Sequence, residues 1–141
     1  MSRVLVDSNI FVYAYDPAER DKHEKALRLI DDVTEDGALV LSVQILNELA
    51  ATLLRRGTDL GVGPQEVREI LEDIVRVNQV VSLTPAMTLK ALTTGLGHGL
   101  SFWDGLIWAA AHSHGISTIY TEDFQHGRVV EGVRFVNPFV A

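Results

Sequence analysis

The chain has 141 residues, with 12 Lys and Arg against 19 Asp and Glu, a formal net charge of −7, and its length fits one domain. A hydrophobic fraction of 47% supplies a core and excludes a disordered chain. The lack of cysteine excludes disulfides, thiolate zinc or iron–sulfur sites and thiol nucleophiles, and the acidic balance argues against charge-driven coating of DNA.

Val4-Leu5-Val6 reads as a buried first strand ending at Asp7, and no leader-like hydrophobic stretch surrounds it. The apolar runs fall short of the roughly 20 residues that cross a bilayer. A whole, soluble, cytoplasmic protein without a membrane partner is therefore expected. Ser8 is placed to cap a short helix to about Tyr15. Asp16-Pro17-Ala18-Glu19 has the pattern of a second helix start, with Asp16 as cap, Pro17 in the first turn and Glu19 reaching back. Ala26, Leu27, Leu29, Ile30 and Val33 mark its apolar face, and Gly37 its end.

Leu39-Val40-Leu41 is a second strand. Ser42 caps a helix bearing Ile45, Leu46, Leu49, Ala50, Leu53 and Leu54, expected to stop at Gly57. Gly61 to Pro64 forms a loop leading into a helix striped by Val67, Ile70, Leu71, Ile74 and Val75. A third strand spans Val80 to Leu83, and Thr84-Pro85 opens a helix to about Thr94. Gly95, Gly97 and Gly99 read as a mobile connection, and Ser101 caps a helix closed by Gly115. Ser117 to Thr121 is a fourth strand, and Val133 to Val136 a fifth at an edge. Alternating strands and helices indicate an α/β domain with a mostly parallel sheet of four to five strands flanked by helices.

In such sheets, reactive groups gather beyond the carboxyl ends of the strands. Most of the 19 acids lie on polar helix faces or in loops. Asp7, Glu48, Asp104 and the Glu122-Asp123 pair differ, because a parallel sheet brings them to one edge. Each has an ordinary structural explanation. Asp7 can cap a helix, Asp104 fits a Ser-x-x-acid capping box, Glu48 can sit at a core rim, and Asp123 can belong to a turn. Together they suggest more. Crowded carboxylates repel, and divalent cations relieve that repulsion. An oxygen-only donor set suits Mg²⁺ or Mn²⁺ and phosphoryl or phosphodiester chemistry.

These pieces, in this order, resemble the PIN-domain ribonucleases, and specifically the VapC-type toxins of VapBC toxin–antitoxin systems. The resemblance is carried by Val4-Leu5-Val6-Asp7-Ser8-Asn9, Glu48, Phe102-Trp103-Asp104, Tyr120-Thr121-Glu122-Asp123-Phe124 and the closing Asn137-Pro138-Phe139. It implies a single PIN-like three-layer domain over residues 1–141. It also implies a Mg²⁺- or Mn²⁺-dependent endoribonuclease toxin that leaves 5′-phosphate and 3′-hydroxyl ends, forms a homodimer and is neutralised by a cognate antitoxin. Asp7, Glu48, Asp104 and Asp123 would take the metal-holding positions, and Ser8 the supporting hydroxyl. Many members have Thr-Asn-Asp with a further Asp before the Phe, whereas here Glu122 precedes Asp123 and Phe124 follows at once. The division of work between the two acids is thus open, with Asp123 favoured by position.

Other residues carry less. The His112-x-His114 spacing does not put both rings on one helix face, and the glycine run lacks a dinucleotide or phosphate-loop fingerprint. Arg55 and Arg56 suit the negative end of their helix and are also candidates for an RNA-binding rim, with Arg128 similarly placed. Trp103 and Trp108 are expected in the core. The alternatives are a catalytically weak PIN-like module that binds RNA or protein, and an aspartyl-phosphate phosphatase. The intact acidic set speaks against the first, and Asn9, where the second nucleophile-side Asp belongs, against the other.

Overall fold

The computed structural model describes residues 2–140. Its strands are β1 Val4–Val6, β2 Leu39–Ser42, β3 Gln79–Val81, β4 Thr118–Tyr120, β5 Val129–Val130 and β6 Val133–Val136. They form one sheet in the order β3-β2-β1-β4-β6-β5, parallel except for the antiparallel β5–β6 hairpin at one edge. The sheet therefore has six strands rather than four to five. β6 is internal, paired with β4 through Thr118–Arg134, Ile119–Phe135 and Tyr120–Val136. The two-residue β5 is too short to show a pattern in the sequence, and it takes the edge expected for β6.

The helices are α1 Ser8–Tyr13, α2 Arg20–Glu35, α3 Val43–Leu60, α4 Pro64–Val77, α5 Pro85–Lys90 and α6 Phe102–Ser113, with a π-helical turn at Ala91–Gly95. Three starts follow local chemistry. The hydroxyls of Ser42, Thr84 and Ser101 accept from the amides of Ile45, Met87 and Asp104, meeting amide donors that the first turn leaves unpaired.

Two starts differ from expectation. Asp7, not Ser8, caps α1, its carboxylate accepting from the Ser8 amide at 2.7 Å. α2 begins only at Arg20, because Asp16 is drawn elsewhere, to Arg56 on α3. α3 runs through Gly57 to Leu60 and ends in a left-handed Gly61. Gly57 is needed for space instead: a Cβ there would stand 2.5 Å from the Val62 carbonyl oxygen. Gly95 likewise is no mobile link. It belongs to the π-helical turn, where its Cβ would lie 3.1 Å from Gly105 Cα of α6.

The core is continuous. Leu5, Val6, Leu41, Ile45, Leu49, Ile119 and Phe135 are fully buried between sheet and helices, and apolar burial of this kind is the dominant favourable term in folding. Trp108 is buried, and its indole N–H donates to the Val130 carbonyl at 3.0 Å. Trp103 is not in the core. It is 63% exposed, because the second position of α6 faces away from the sheet. β2 and β4 lie on either side of β1, so the point where the connections diverge falls at the carboxyl ends of β1 and β4.

Candidate active site

Asp7 stands at that divergence. It is buried, and both carboxylate oxygens are taken: one by the Ser8 amide, the other by the Thr121 hydroxyl at 2.8 Å. Thr121 is itself buried, and its hydroxyl accepts from the Asp123 amide at 3.2 Å. The ends of β1 and β4 are thus tied through one side chain.

Glu48 lies in the second turn of α3, half buried. The Ser8 hydroxyl donates to its Oε2 at 3.4 Å, and Gln44 Nε2 donates to its Oε1 at 2.7 Å. The same Gln44 nitrogen reaches the Trp103 carbonyl at 3.1 Å. That bond ties the start of α6, one residue before Asp104, to the helix that carries Glu48. The Asp104 amide closes the cap on Ser101, so the carboxylate need not be a capping group.

Two of these carboxyls, Asp7 and Asp123, are shifted upward by their surroundings. Burial pushes the Asp7 carboxyl up to about 6 from 3.8, and the Asp123 and Glu48 charges add to the rise, while the Thr121 and Ser8 hydrogen bonds oppose it. Asp123, exposed at the rim, is also shifted upward, first by partial desolvation and then by Asp104, Glu122 and Glu48. The Asn9 amide faces Asp123 and tempers that shift without closing a bond of normal geometry. Its Nδ2 and Oδ1 are buried without partners.

Glu122 points elsewhere. Its carboxylate accepts from the Tyr13 hydroxyl at 2.5 Å and from Lys22 Nζ at 3.0 Å. A cleft of about 310 Å³ opens at Ser8 and Asn9, lined also by Asp16, Arg55, Arg56 and Glu122 but by none of Asp7, Glu48, Asp104 and Asp123. Arg56 is committed to the buried Asp16 at 2.9 Å. Gln44 and Lys22 carry no signal in the sequence, and Tyr13 reads there as a core or interface aromatic rather than a partner of Glu122. Thr121 stands in the Tyr120–Phe124 stretch that carries the resemblance, but its bond to Asp7 is not legible there.

Among the described residues, no three His, Asp or Glu side chains enclose a metal ion as they stand. The arrangement nevertheless fits a hard cation. Its donors are all oxygen, and the Asn9 side-chain amide is buried without a partner among the described residues. Mg²⁺ ordinarily keeps several waters and needs only one or two carboxylates, so a closed cage is not required. Among the described residues, no helix is long and apolar enough to cross a membrane.

A family model described as the PIN domain matches residues 4–132. Comparison with the curated proteins gives no match. Among solved structures, the chain is similar to VapC20 of Mycobacterium tuberculosis, a sarcin–ricin-loop-cleaving toxin, with a TM-score of 0.67 and 22% identity over 93% of this chain and 98% of that one. A toxin–antitoxin complex from Klebsiella pneumoniae gives a TM-score of 0.70 at 16% identity, over 96% and 97% of the two chains. VapBC2 from Rickettsia felis, bound to a DNA fragment from its promoter, gives 0.67 at 14%, over 94% and 96%. At these identities the likeness is one of fold.

Proposed function

The chain belongs to the PIN-domain family, and from that premise we propose that it is a Mg²⁺- or Mn²⁺-dependent endoribonuclease of the VapC kind. The observation that carries this reading is Asp7: a carboxyl buried at the end of β1, held by the Ser8 amide and the Thr121 hydroxyl, with Ser8 also bonded to Glu48 and Thr121 to the Asp123 amide. Burial disfavours its charged form, and a bound cation would offset that cost.

Asp7, Glu48, Asp104 and Asp123 would hold the metal. When bound, it would supply Lewis acidity toward a phosphodiester oxygen and a water that is deprotonated near neutral pH. The protein's own contribution is placement. Thr121 and the Ser8 amide hold the Asp7 carboxylate in one orientation, and Ser8 and Gln44 do the same for Glu48. Orientation of this kind is what a phosphodiester hydrolase needs most, since the displacement at phosphorus demands alignment. Arg55, free of the ion pair that occupies Arg56, is the better rim contact for a backbone phosphate.

The partners proposed are RNA, a second copy of the chain and an antitoxin. The antitoxin is supported by the fold's likeness to proteins solved as toxin–antitoxin complexes. Exposed Leu54 and Val75, beside the α3–α4 groove, supply apolar surface for such contacts. The test is incubation of purified protein with structured RNA in Mn²⁺ or EDTA. Mn²⁺-dependent fragments with 5′-phosphate ends are expected. Intact RNA in Mn²⁺ would leave a PIN-fold binding module as the better description.

A further inference from the structure

We propose that Glu122 is a positioning residue, gripped by a latch of Tyr13 and Lys22 that keeps it out of the acid set and presents Asp123 to that set instead. The proposal rests on the metal-dependent nuclease reading above and goes beyond it, to a device outside the four acids.

The latch is built from three elements. Tyr13 ends α1, Lys22 lies in the first turn of α2, and Glu122 follows β4 by two residues. Both Glu122 oxygens are occupied, Oε1 by the Tyr13 hydroxyl at 2.5 Å and Oε2 by Lys22 Nζ at 3.0 Å. Lys22 also donates to the Tyr13 oxygen at 3.3 Å, which closes the triangle. Hydrogen bonds to charged groups are among the stronger ones, and here they converge on one carboxylate from two helices.

The C-terminal segment adds a wall. The Phe139 ring stands edge-on to Tyr13 with centroids 5.1 Å apart. Lys22 Nζ lies 5.0 Å from the Tyr13 ring centre and 5.7 Å from that of Phe139. An ammonium over two aromatic faces is held by the ring quadrupoles as well as by the carboxylate. The Phe139 amide donates to Asn137 Oδ1 at 2.9 Å in a local turn, and the ring contacts bring the tail to the latch.

The consequence lies one residue on. Glu122 and Asp123 are adjacent and both acidic, and Glu122 adds to the charge felt by Asp123. Without partners, the Glu122 side chain would be free to swing into the acid set and compete with Asp123. With both oxygens bonded and the charge offset by Lys22, it anchors the loop. Asp123 then keeps its amide bonded to Thr121, whose hydroxyl also holds Asp7, and its carboxylate is left to the acid set. Groups that orient ligands in this way raise metal affinity without touching the metal.

The experiment compares wild type with E122A, E122Q and Y13F in three measurements: Mn²⁺ titration by calorimetry, steady-state RNA cleavage, and hydrogen exchange of residues 121–125 without metal. E122A and Y13F should each weaken Mn²⁺ binding about tenfold or more, lower kcat with little change in KM, and speed exchange in that segment, while the melting temperature in EDTA stays close to wild type. E122Q keeps an oxygen for the Tyr13 hydroxyl and should lose less. Unchanged exchange and Mn²⁺ affinity in both E122A and Y13F would overturn the latch. Loss in E122A with none in Y13F would overturn it too, since Glu122 would then be acting as a ligand. Wild-type protein that neither binds Mn²⁺ nor cleaves RNA would defeat the nuclease reading instead, and the exchange measurement would still decide the latch.

Discussion

Thr121 donates its hydroxyl proton to Asp7 across 2.8 Å, joining residues 114 positions apart at the ends of two neighbouring parallel strands. The same oxygen receives the Asp123 amide. One small side chain therefore sets both the most buried acid of the site and the loop that carries the most exposed one.

Replacing Thr121 by Val keeps the shape and removes both bonds. The Asp7 carboxylate would lose a donor that holds its pKa down, and the Asp123 amide would lose its acceptor. We expect T121V to be less stable by about 1–3 kcal/mol, the cost of leaving buried polar groups unpaired, and to cleave RNA poorly. Urea denaturation in EDTA measures the first effect. Wild-type stability together with wild-type activity would refute the relay.

Asp7 makes the metal-free protein pH-sensitive. Its carboxyl titrates near 6 in the fold against 3.8 without it. Between those values the folded chain binds more protons than the unfolded one, so this group lowers stability as pH rises from about 4 to 6 and its penalty is full above that. At neutral pH the penalty is on the order of 3 kcal/mol. D7N should abolish cleavage. In EDTA it should also be more stable than wild type at pH 7.5, with the advantage vanishing near pH 4. Denaturation curves at the two pH values check this, and a less stable D7N at pH 7.5 would contradict it.

The two adjacent arginines should separate. Both line the cleft at Ser8, but Arg56 pairs with Asp16, whose side chain is only 9% exposed, while Arg55 does not share that ion pair. R56A leaves a buried carboxylate without its partner and should cost stability on the order of 3 kcal/mol. R55A should melt like wild type and raise KM for RNA. Thermal melts and cleavage kinetics of both variants decide, and the reverse pattern would assign the rim to Arg56.

Gly57 tests the close approach at the end of α3. An added Cβ would meet backbone, the Val62 carbonyl at 2.5 Å, and backbone cannot step aside as a side chain can. Alanine is ordinarily the better helix former. G57A should nevertheless destabilise by about 1–3 kcal/mol, as overpacking does. A stability gain in denaturant titration would show that the loop yields.

How much of this was legible in the sequence depended on distance along the chain. The apolar runs, the helix caps at Ser42, Thr84 and Ser101 and the alternation of strand and helix are written in residues within four positions of one another, and local sterics and hydrogen bonding decide them. The four acids proposed to hold the metal stand out in the sequence because strand ends and helix starts are local marks and a parallel sheet collects such positions at one edge. Packing across 40 or more residues decided the rest. The Asp16 side chain left its helix for Arg56, 40 positions away, and Glu122 turned to Tyr13 and Lys22, 109 and 100 away. Trp103 came out to solvent, and a two-residue strand took the sheet edge. A charged group's partner and an aromatic ring's exposure depend on which surfaces meet in the fold, and no short stretch of this chain contains both surfaces.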